Sequence, residues 1–134
     1  MRLSMRKPVA MMLLAVVSSS ASAAAWVKVG SDENGTTYVD SPTIRRAGNR
    51  VKMWSLSDFK TPQVLPTGKQ YMSTKTEIEY DCKKERVRLL AVFAHSRNMA
   101  NGEKVYIASH PGKWGPLASG TKNEELWKLA CGKK

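Results

Sequence analysis

The sequence has few cysteines, histidines and acidic residues, and no long apolar run. It has only two cysteines and two histidines in 134 residues, and 11 acidic side chains stand against 22 basic ones. Its longest unbroken apolar run, Val9–Val17, is far shorter than the roughly 20 residues that span a bilayer. Two cysteines are too few for a disulfide-dense miniprotein, and the length suits one domain. What remains is a small single-domain protein with a strong excess of positive charge.

The first 23 residues have the three parts of a secretory signal peptide. Met1–Lys7 is short and basic, Val9–Val17 is apolar, and Ala21–Ala23 fits the small-residue cleavage motif. Cleavage after Ala25 fits the same motif. Since no cysteine lies near the cut, we expect no lipid anchor, and since the apolar run is short, we expect no membrane span. The mature domain, residues 24–134, is expected to be periplasmic or secreted.

The mature domain remains basic after the signal peptide is removed. The signal peptide carries three of the 22 basic residues and none of the acids, which leaves 19 against 11 and a net charge of +8 instead of +11. Apolar residues make up 42% of the chain and charged residues 25%, which are ordinary values for a folded domain. The composition therefore argues against disorder.

Both cysteines, Cys82 and Cys131, fall in the exported part. An even number of cysteines in an oxidising compartment favours a disulfide bond. A metal site is the alternative, but the sequence has no CxxC motif and no histidine next to either cysteine. We predict a disulfide, no metal and no cofactor.

Apolar residues alternate with polar ones along most of the mature domain, as in half-buried strands. In Tyr71–Cys82 the even positions are the less charged ones, and in Arg86–Arg97 several odd positions are apolar. A tight turn between these strands brings the two apolar sets together. The expected buried pairs are Tyr80–Val87, Ile78–Leu89 and Thr74–Phe93. The expected solvated pairs are Asp81–Arg86 and Glu79–Arg88.

Turn residues and a change of period divide the rest of the domain. Asn34-Gly35 and Ala47-Gly48-Asn49 indicate hairpin turns, whereas 61–68 and 110–120 hold two prolines each and are expected to be loops. Thr121 then matches a helix N-cap and Gly132 a stop signal. The apolar stripe of this helix, which should pack on the sheet, consists of Leu126, Leu129 and Ala130.

The chain resembles the surface-adhesin protein E-like family of exported Gram-negative proteins. The resemblance rests on a set of residues and on their order along the chain. These residues are Trp26, Tyr38-Val39-Asp40, Trp54 with Asp58 and Pro62-Gln63, Ser73-Thr74-Lys75, Tyr80-Asp81-Cys82, Gly102, Trp114 and Cys131. The resemblance implies an α+β fold with one antiparallel sheet of about six strands, a C-terminal helix on one face and a bond between Cys82 and Cys131. The family's name comes from members that bind host matrix proteins at the cell surface.

Two basic segments are candidate anion-binding sites. The first surrounds the Ala47-Gly48-Asn49 turn and has no acid between Asp40 and Asp58, so its charges have no partner nearby in the sequence. It comprises Arg45, Arg46, Arg50 and Lys52. The second has a spacing often proposed for heparin-type glycans, but the predicted register sets two of its arginines opposite carboxylates. This weaker candidate comprises Lys83, Lys84, Arg86 and Arg88.

No catalytic set stands out. His95 and His110 could serve a small secreted hydrolase, but His95 continues an apolar strand face and His110 falls at a strand end. Glu77, Glu79 and Asp81 share one strand face, which we interpret as solvated and not as a cation site. Trp114 could be an exposed anchor at an interface, where Trp is enriched, but we interpret it as closing one end of the core.

The sequence therefore predicts an exported, non-enzymatic, adhesin-like binding module. Its expected ligands are proteins or anionic glycans, and export makes nucleic acid an unexpected partner. The alternative is a periplasmic envelope protein with a structural or stress role and no host ligand. The sequence carries no signal for the oligomeric state.

Overall fold

A computed structural model describes residues 24–133. The expected signal peptide, residues 1–23, lies outside the described residues, as does Lys134. Within 24–133 no helix is long and apolar enough to cross a membrane.

The described chain forms one antiparallel sheet and one helix. The strands are β1 (Trp26–Ser31), β2 (Gly35–Asp40), β3 (Arg45–Ala47), β4 (Arg50–Val64), β5 (Gln70–Asp81), β6 (Arg86–His95), β7 (Lys104–Ala108) and β8 (Gly115–Pro116). The main order across the sheet is β1-β2-β4-β5-β6-β7, while β3 pairs with β4 and β8 with β6. The expected number of six strands was therefore too low, because β3 and β8 are too short to show a period of two.

The predicted loop at 61–68 was also wrong in its first half. β4 runs on to Val64, and Gln63 and Val64 pair with Tyr71 and Gln70 of β5. The pairing is irregular between Asp58 and Gln63, which is where a strand can accommodate Pro62 without a donor in the ladder. The hairpin β4–β5 consequently extends beyond the rest of the sheet. The turn at Gly48, by contrast, lies where the sequence predicts it and has φ +62°.

The helix α1 (Lys122–Cys131) begins and ends at the predicted residues. The Thr121 side chain accepts a hydrogen bond from the Glu124 N–H, and Gly132 adopts the left-handed conformation. Leu126 and Ala130 are buried as expected, but Leu129 is 46% exposed. Trp127 takes its place, because its ring points to the sheet one turn from Ala130 and Cys131.

The core lies between α1 and one face of the sheet. From the sheet it includes Val39, Val51, Met53 and Tyr80, and from the helix Leu126, Trp127, Ala130 and Cys131. Cys82, just after β5, is bonded to Cys131 at the end of α1, which confirms the predicted disulfide. The bond ties the helix to the end of the strand that lies at the centre of the sheet.

The predicted register of β5 and β6 is correct at one end only. Tyr80 lies opposite Val87 and Ile78 opposite Leu89, as expected. A bulge then inserts one residue into β6, so that Phe93 lies opposite Lys75 instead of Thr74. A one-residue shift moves side chains to the other face. Phe93 therefore leaves the helix face, whereas Leu89 stays on that face and is 41% exposed, not buried as expected.

Candidate functional site

One face of the sheet is not covered by α1. Directly paired residues of antiparallel strands share a face, and Val51 and Tyr80 lie against the helix. Their neighbours one position away consequently point to the other side, here called the open face. Across β4, β5 and β6 its rows are Arg50–Asp81–Arg86, Lys52–Glu79–Arg88, Trp54–Glu77–Ala91, Leu56–Lys75–Phe93 and Asp58–Ser73–His95.

The two predicted basic segments meet at one end of this face. Arg50 of the first segment and Arg86 of the second flank Asp81, and Lys52 and Arg88 flank Glu79. A surface depression is lined by residues of both segments, among them Arg50, Lys83 and Lys84. We call this surface the basic end. It comprises Arg45, Arg46, Arg50, Lys52, Lys83, Lys84, Arg86 and Arg88 together with Trp114.

Arg46 is the one residue of the first basic segment whose side chain does not start from the open face. It pairs with Val51 and so starts from the helix face of the sheet, whereas Arg45 pairs with Lys52 on the open face. The Arg46 guanidinium donates to the Gly48 carbonyl at 3.2 Å and wraps around the turn. It still lines a second depression, which it shares with Arg45, Arg50 and Lys52. The four residues of the first segment thus lie together, and Arg46 reaches the others from the edge of the sheet.

The carboxylates of this end are buried, so the expectation of a solvated face was wrong. Glu79 is 5% exposed and accepts from Arg88 at 2.7 Å. Asp81 accepts from the backbone N–H groups of Lys83 and Lys84 and from the Arg86 guanidinium at 3.1 Å. These donors, led by the Lys84 N–H, hold the pKa of Asp81 below its usual value. Both acids serve to fix the turn and the arginines.

Trp114 lies among three arginines and does not close the core. The guanidinium carbons of Arg86, Arg88 and Arg50 lie 4.3, 4.7 and 5.1 Å from the centre of its indole ring. Its neighbour Gly115 pairs with Val87, which places the ring on the open face beside the arginine rows. Cation–π contacts of this kind favour a positive charge over an electron-rich ring. Sequence reasoning missed this role because Trp114 is 26 residues or more from the three arginines along the chain.

A second aromatic cluster lies further along the open face. The rings of Trp54 and Phe93 are nearly parallel with their centres 5.8 Å apart. Lys75 lies over the Trp54 ring at 4.9 Å, and Lys104 over the Phe93 ring at 4.8 Å. Nothing in the sequence pointed to this cluster, since it depends on the bulge that turns Phe93 to this face.

The row Asp58–Ser73–His95 contains the residue types of a hydrolase triad but not its bonds. The Ser73 hydroxyl donates to the Arg97 carbonyl at 2.6 Å and accepts from the Ala100 N–H. The Asp58 carboxylate accepts hydrogen bonds from the Asn98 side-chain amide and from the Met99 backbone N–H. Burial, together with the charges of Lys104 and Lys75, keeps the pKa of His95 below 6.5. The row therefore holds the 96–102 turn in place and lacks the nucleophile–base contact that catalysis requires.

The described residues support neither a metal site nor a catalytic role for the second histidine, His110. Among residues 24–133, no group of three or more histidine, cysteine or acidic side chains is arranged to hold a metal ion. His110 is exposed in the segment between β7 and β8, away from the Asp58–Ser73–His95 row.

Within residues 24–133 the fold is thus an antiparallel sheet with one face covered by a single α-helix and the other face basic at one end. Residues 26–132 match the surface-adhesin protein E family, and the chain belongs to that family. No curated protein sequence is matched. The fold is similar to that of protein E from non-typeable Haemophilus influenzae, at 13% identity over 78% of this chain and 75% of that one, with a TM-score of 0.57.

Further structures of Haemophilus influenzae protein E give the same likeness. The selenomethionine form has a TM-score of 0.61 and 13% identity over 78% of this chain and 85% of that one. Crystal form II has a TM-score of 0.57 and 13% identity over 79% and 96%. Membership of the family supports an adhesin role and suggests a non-enzymatic, surface-exposed or secreted protein that binds host molecules.

Proposed function

We propose that this protein is an exported, non-enzymatic adhesin whose basic end binds anionic polymers or acidic protein surfaces. The observation that carries the proposal is the arrangement of Arg50, Arg86 and Arg88 around Trp114. Three guanidinium groups gathered on one ring are a costly concentration of charge unless something offsets it. Glu79 and Asp81 offset two of them.

The third arginine leaves the cluster with a net positive charge. Within residues 24–133 no ion pair involves Arg50, and its side chain is exposed. Lys52, Lys83 and Lys84 add further positive charge around it. An anionic group placed against Arg50 would relieve this repulsion, and a guanidinium can donate two parallel hydrogen bonds to a carboxylate or sulfate.

The buried carboxylates also make the site rigid before a ligand arrives. Arg88 and Arg86 are each held by an acid whose side chain is 7% or 6% exposed. Each guanidinium has five N–H donors, so donors remain after its acid is satisfied. Fixing long side chains in advance reduces the entropy lost on binding.

A periplasmic envelope role with no host ligand is the second candidate. The sequence observation that favours it is the absence of a cysteine near the expected cleavage site, which argues against a lipid anchor. Antibody labelling of intact cells separates the two: a surface adhesin is labelled before the outer membrane is opened, and a periplasmic protein only afterwards.

Elution from a heparin column tests the basic end. The test variant changes four exposed cations, Arg45, Arg50, Lys52 and Lys84, to Gln. The matched control changes Lys28, Lys60, Lys69 and Arg97, which are also exposed but lie on β1, in the far part of the β4–β5 hairpin and after the end of β6. Net charge falls by four in both. We expect the test variant to elute at clearly lower salt than the control, and equal shifts would reject the basic end as the site.

A further inference from the structure

The open face carries two clusters of aromatic rings and cations, and both face the same way. The first is Trp114 with its three arginines, and the second is the Trp54–Phe93 pair with Lys75 and Lys104. Arg50 and Trp54 are four residues apart on β4, which corresponds to about 13 Å along the strand. The clusters are therefore two stations on one surface, separated by more than a single small ligand covers.

The second cluster combines a flat apolar surface with mobile charges at its margin. Trp54 and Phe93 are half-buried, and the ring planes differ by only 17°. Ile107, which pairs with Phe93 on the neighbouring strand, is 59% exposed and widens the apolar surface. Lysine side chains carry their charge on flexible stems, so Lys75 and Lys104 can move from the rings to an incoming anionic group.

The acids on the open face limit which polyanions fit. Glu77 pairs with Trp54, in the row where a ligand that comes from the basic end first reaches the second cluster. A polymer with a charge at every 1.7 Å or so, as in duplex DNA, would place phosphates against this carboxylate. A chain whose anionic groups are spaced by rings can pass it.

We propose that the ligand of the open face is a linear sulfated or carboxylated polysaccharide that runs from the basic end to the Trp54–Phe93 cluster. This inference rests on the proposed function and names its ligand class. Sulfate or carboxylate groups lie against Arg50, Arg86 and Arg88 at one station. The apolar C–H face of a sugar ring lies on Trp54 and Phe93 at the other, with Lys75 and Lys104 beside its anionic substituents.

A length series of heparin oligosaccharides tests this arrangement by calorimetry on the mature protein. A disaccharide reaches the basic end alone, so its affinity reports that station only. A longer oligosaccharide that reaches both stations should bind at least about tenfold more tightly, equivalent to about 1.4 kcal/mol. The double variant Trp54→Leu with Phe93→Leu should lose that gain while keeping the affinity for the disaccharide. An absent gain, or one that the double variant retains, would overturn the inference.

Controls separate this inference from the proposed function and from loss of the fold. Tyr106→Leu removes an exposed ring that starts from the helix face of the sheet, since Tyr106 pairs with Ala94, and it should leave the length gain intact. Substituting Gln at Arg45, Arg50, Lys52 and Lys84 should weaken both oligosaccharides; no effect on either would reject the proposed function itself. If the charge variants weaken binding and the Leu variants do not, the basic end is a binding site but the ligand does not extend to the Trp54–Phe93 cluster.

An acidic polypeptide distinguishes a protein ligand from a glycan. Poly-glutamate offers closely spaced carboxylates without sugar rings. We expect it to bind through the basic end and to be insensitive to the Trp54→Leu, Phe93→Leu double variant. Poly-glutamate binding that matches the long oligosaccharide and falls equally in the double variant would show that the open face selects acidic protein, and the glycan proposal would be abandoned. If the double variant folds poorly, the single variant Trp54→Leu replaces it: it should lose part of the length gain, and a fully retained gain would overturn the inference.

Discussion

The indole N–H of Trp127 donates to the backbone carbonyl of Asp81 at 2.9 Å. Trp127 belongs to the helix side of the core, whereas the Asp81 side chain lies at the basic end on the opposite face. The disulfide from Cys82 to Cys131 joins the same two segments, one residue after Asp81 and four residues, about one helical turn, after Trp127. The helix therefore fixes the strand end that positions Arg86 and the turn at 83–85.

Replacing Trp127 by Phe should destabilise the protein. The variant keeps an aromatic ring in the core but leaves the buried Asp81 carbonyl without its side-chain donor, at an expected cost of about 1–3 kcal/mol in the free energy of unfolding. Urea unfolding measures it. Leu129→Ala, on the 46% exposed face of the same helix, is the control and should cost less than about 1 kcal/mol. Equal costs would contradict the assignment of Trp127 as the buried contact.

Reduction of the disulfide should also destabilise the protein, by about 2–4 kcal/mol. The two cysteines are 49 residues apart, so the bond restricts a long loop in the unfolded chain. Urea unfolding with and without reductant gives the difference. Thiol titration of the unfolded, unreduced protein should find no free thiol, and two thiols per chain would refute the bond.

Glu79→Ala should cost about 1.5–3 kcal/mol, because it leaves the partly exposed Arg88 guanidinium without the carboxylate that it contacts at 2.7 Å. The sequence led us to expect a cost of at most about 1 kcal/mol, as for a solvated pair. Glu77→Ala, two positions away on the same face, is the matched control; within the described residues no ion pair involves Glu77. If the Glu79 variant were as stable as the Glu77 variant, the Glu79–Arg88 pair would contribute no more than an exposed ion pair.

Stability should decline on acidification in two stages. Burial lowers the pKa of His95 in the folded protein, with Lys104 and Lys75 adding repulsion, so below pH 6.5 the unfolded chain binds more protons than the folded one. The first loss therefore begins as the pH falls below about 6.5. The second begins as the pH falls below about 3.8, because the lowered pKa of Asp81 in the folded protein means that the unfolded chain binds the proton first. His95→Gln should flatten the first stage of a thermal-unfolding series against pH; an unchanged slope would exclude His95 as its source.

The sequence predicted local features well because each depends on residues close together in the chain. The Thr121 cap, the Gly48 turn and the pairing of Tyr80 with Val87 are of this kind. The family resemblance supplied the overall fold, and the cysteines supplied the tie between β5 and α1. The number of strands was underestimated because β3 and β8 contain only three and two residues.

The candidate site was only half predictable, because a bulge and a distant loop determine its shape. Strict alternation of side chains along β6 placed Phe93 on the helix face, because no local signal in the sequence marked the extra residue of the bulge. The same count put Glu79 in solvent, although Arg88 and the neighbouring strands bury it. Both basic segments were recognised, but their meeting around Trp114 requires the pairing of β4, β5 and β6.

Replacing Trp114 by Leu should weaken binding to heparin without changing the net charge. The ring holds Arg50, Arg86 and Arg88 within about 5 Å of its centre. Without it, Arg50 loses its only described side-chain contact of this kind and regains rotamer freedom, which must be lost again on binding. We expect the variant to elute from a heparin column at lower salt than the native protein, and Trp114→Phe, which keeps an aromatic face, to recover part of the difference. Because Arg86 and Arg88 remain paired with buried acids, the loss should be smaller than that of the four-residue Gln variant at the basic end. If Trp114→Leu elutes with the native protein, the ring contributes nothing to binding, and the site reduces to a patch of positive charge.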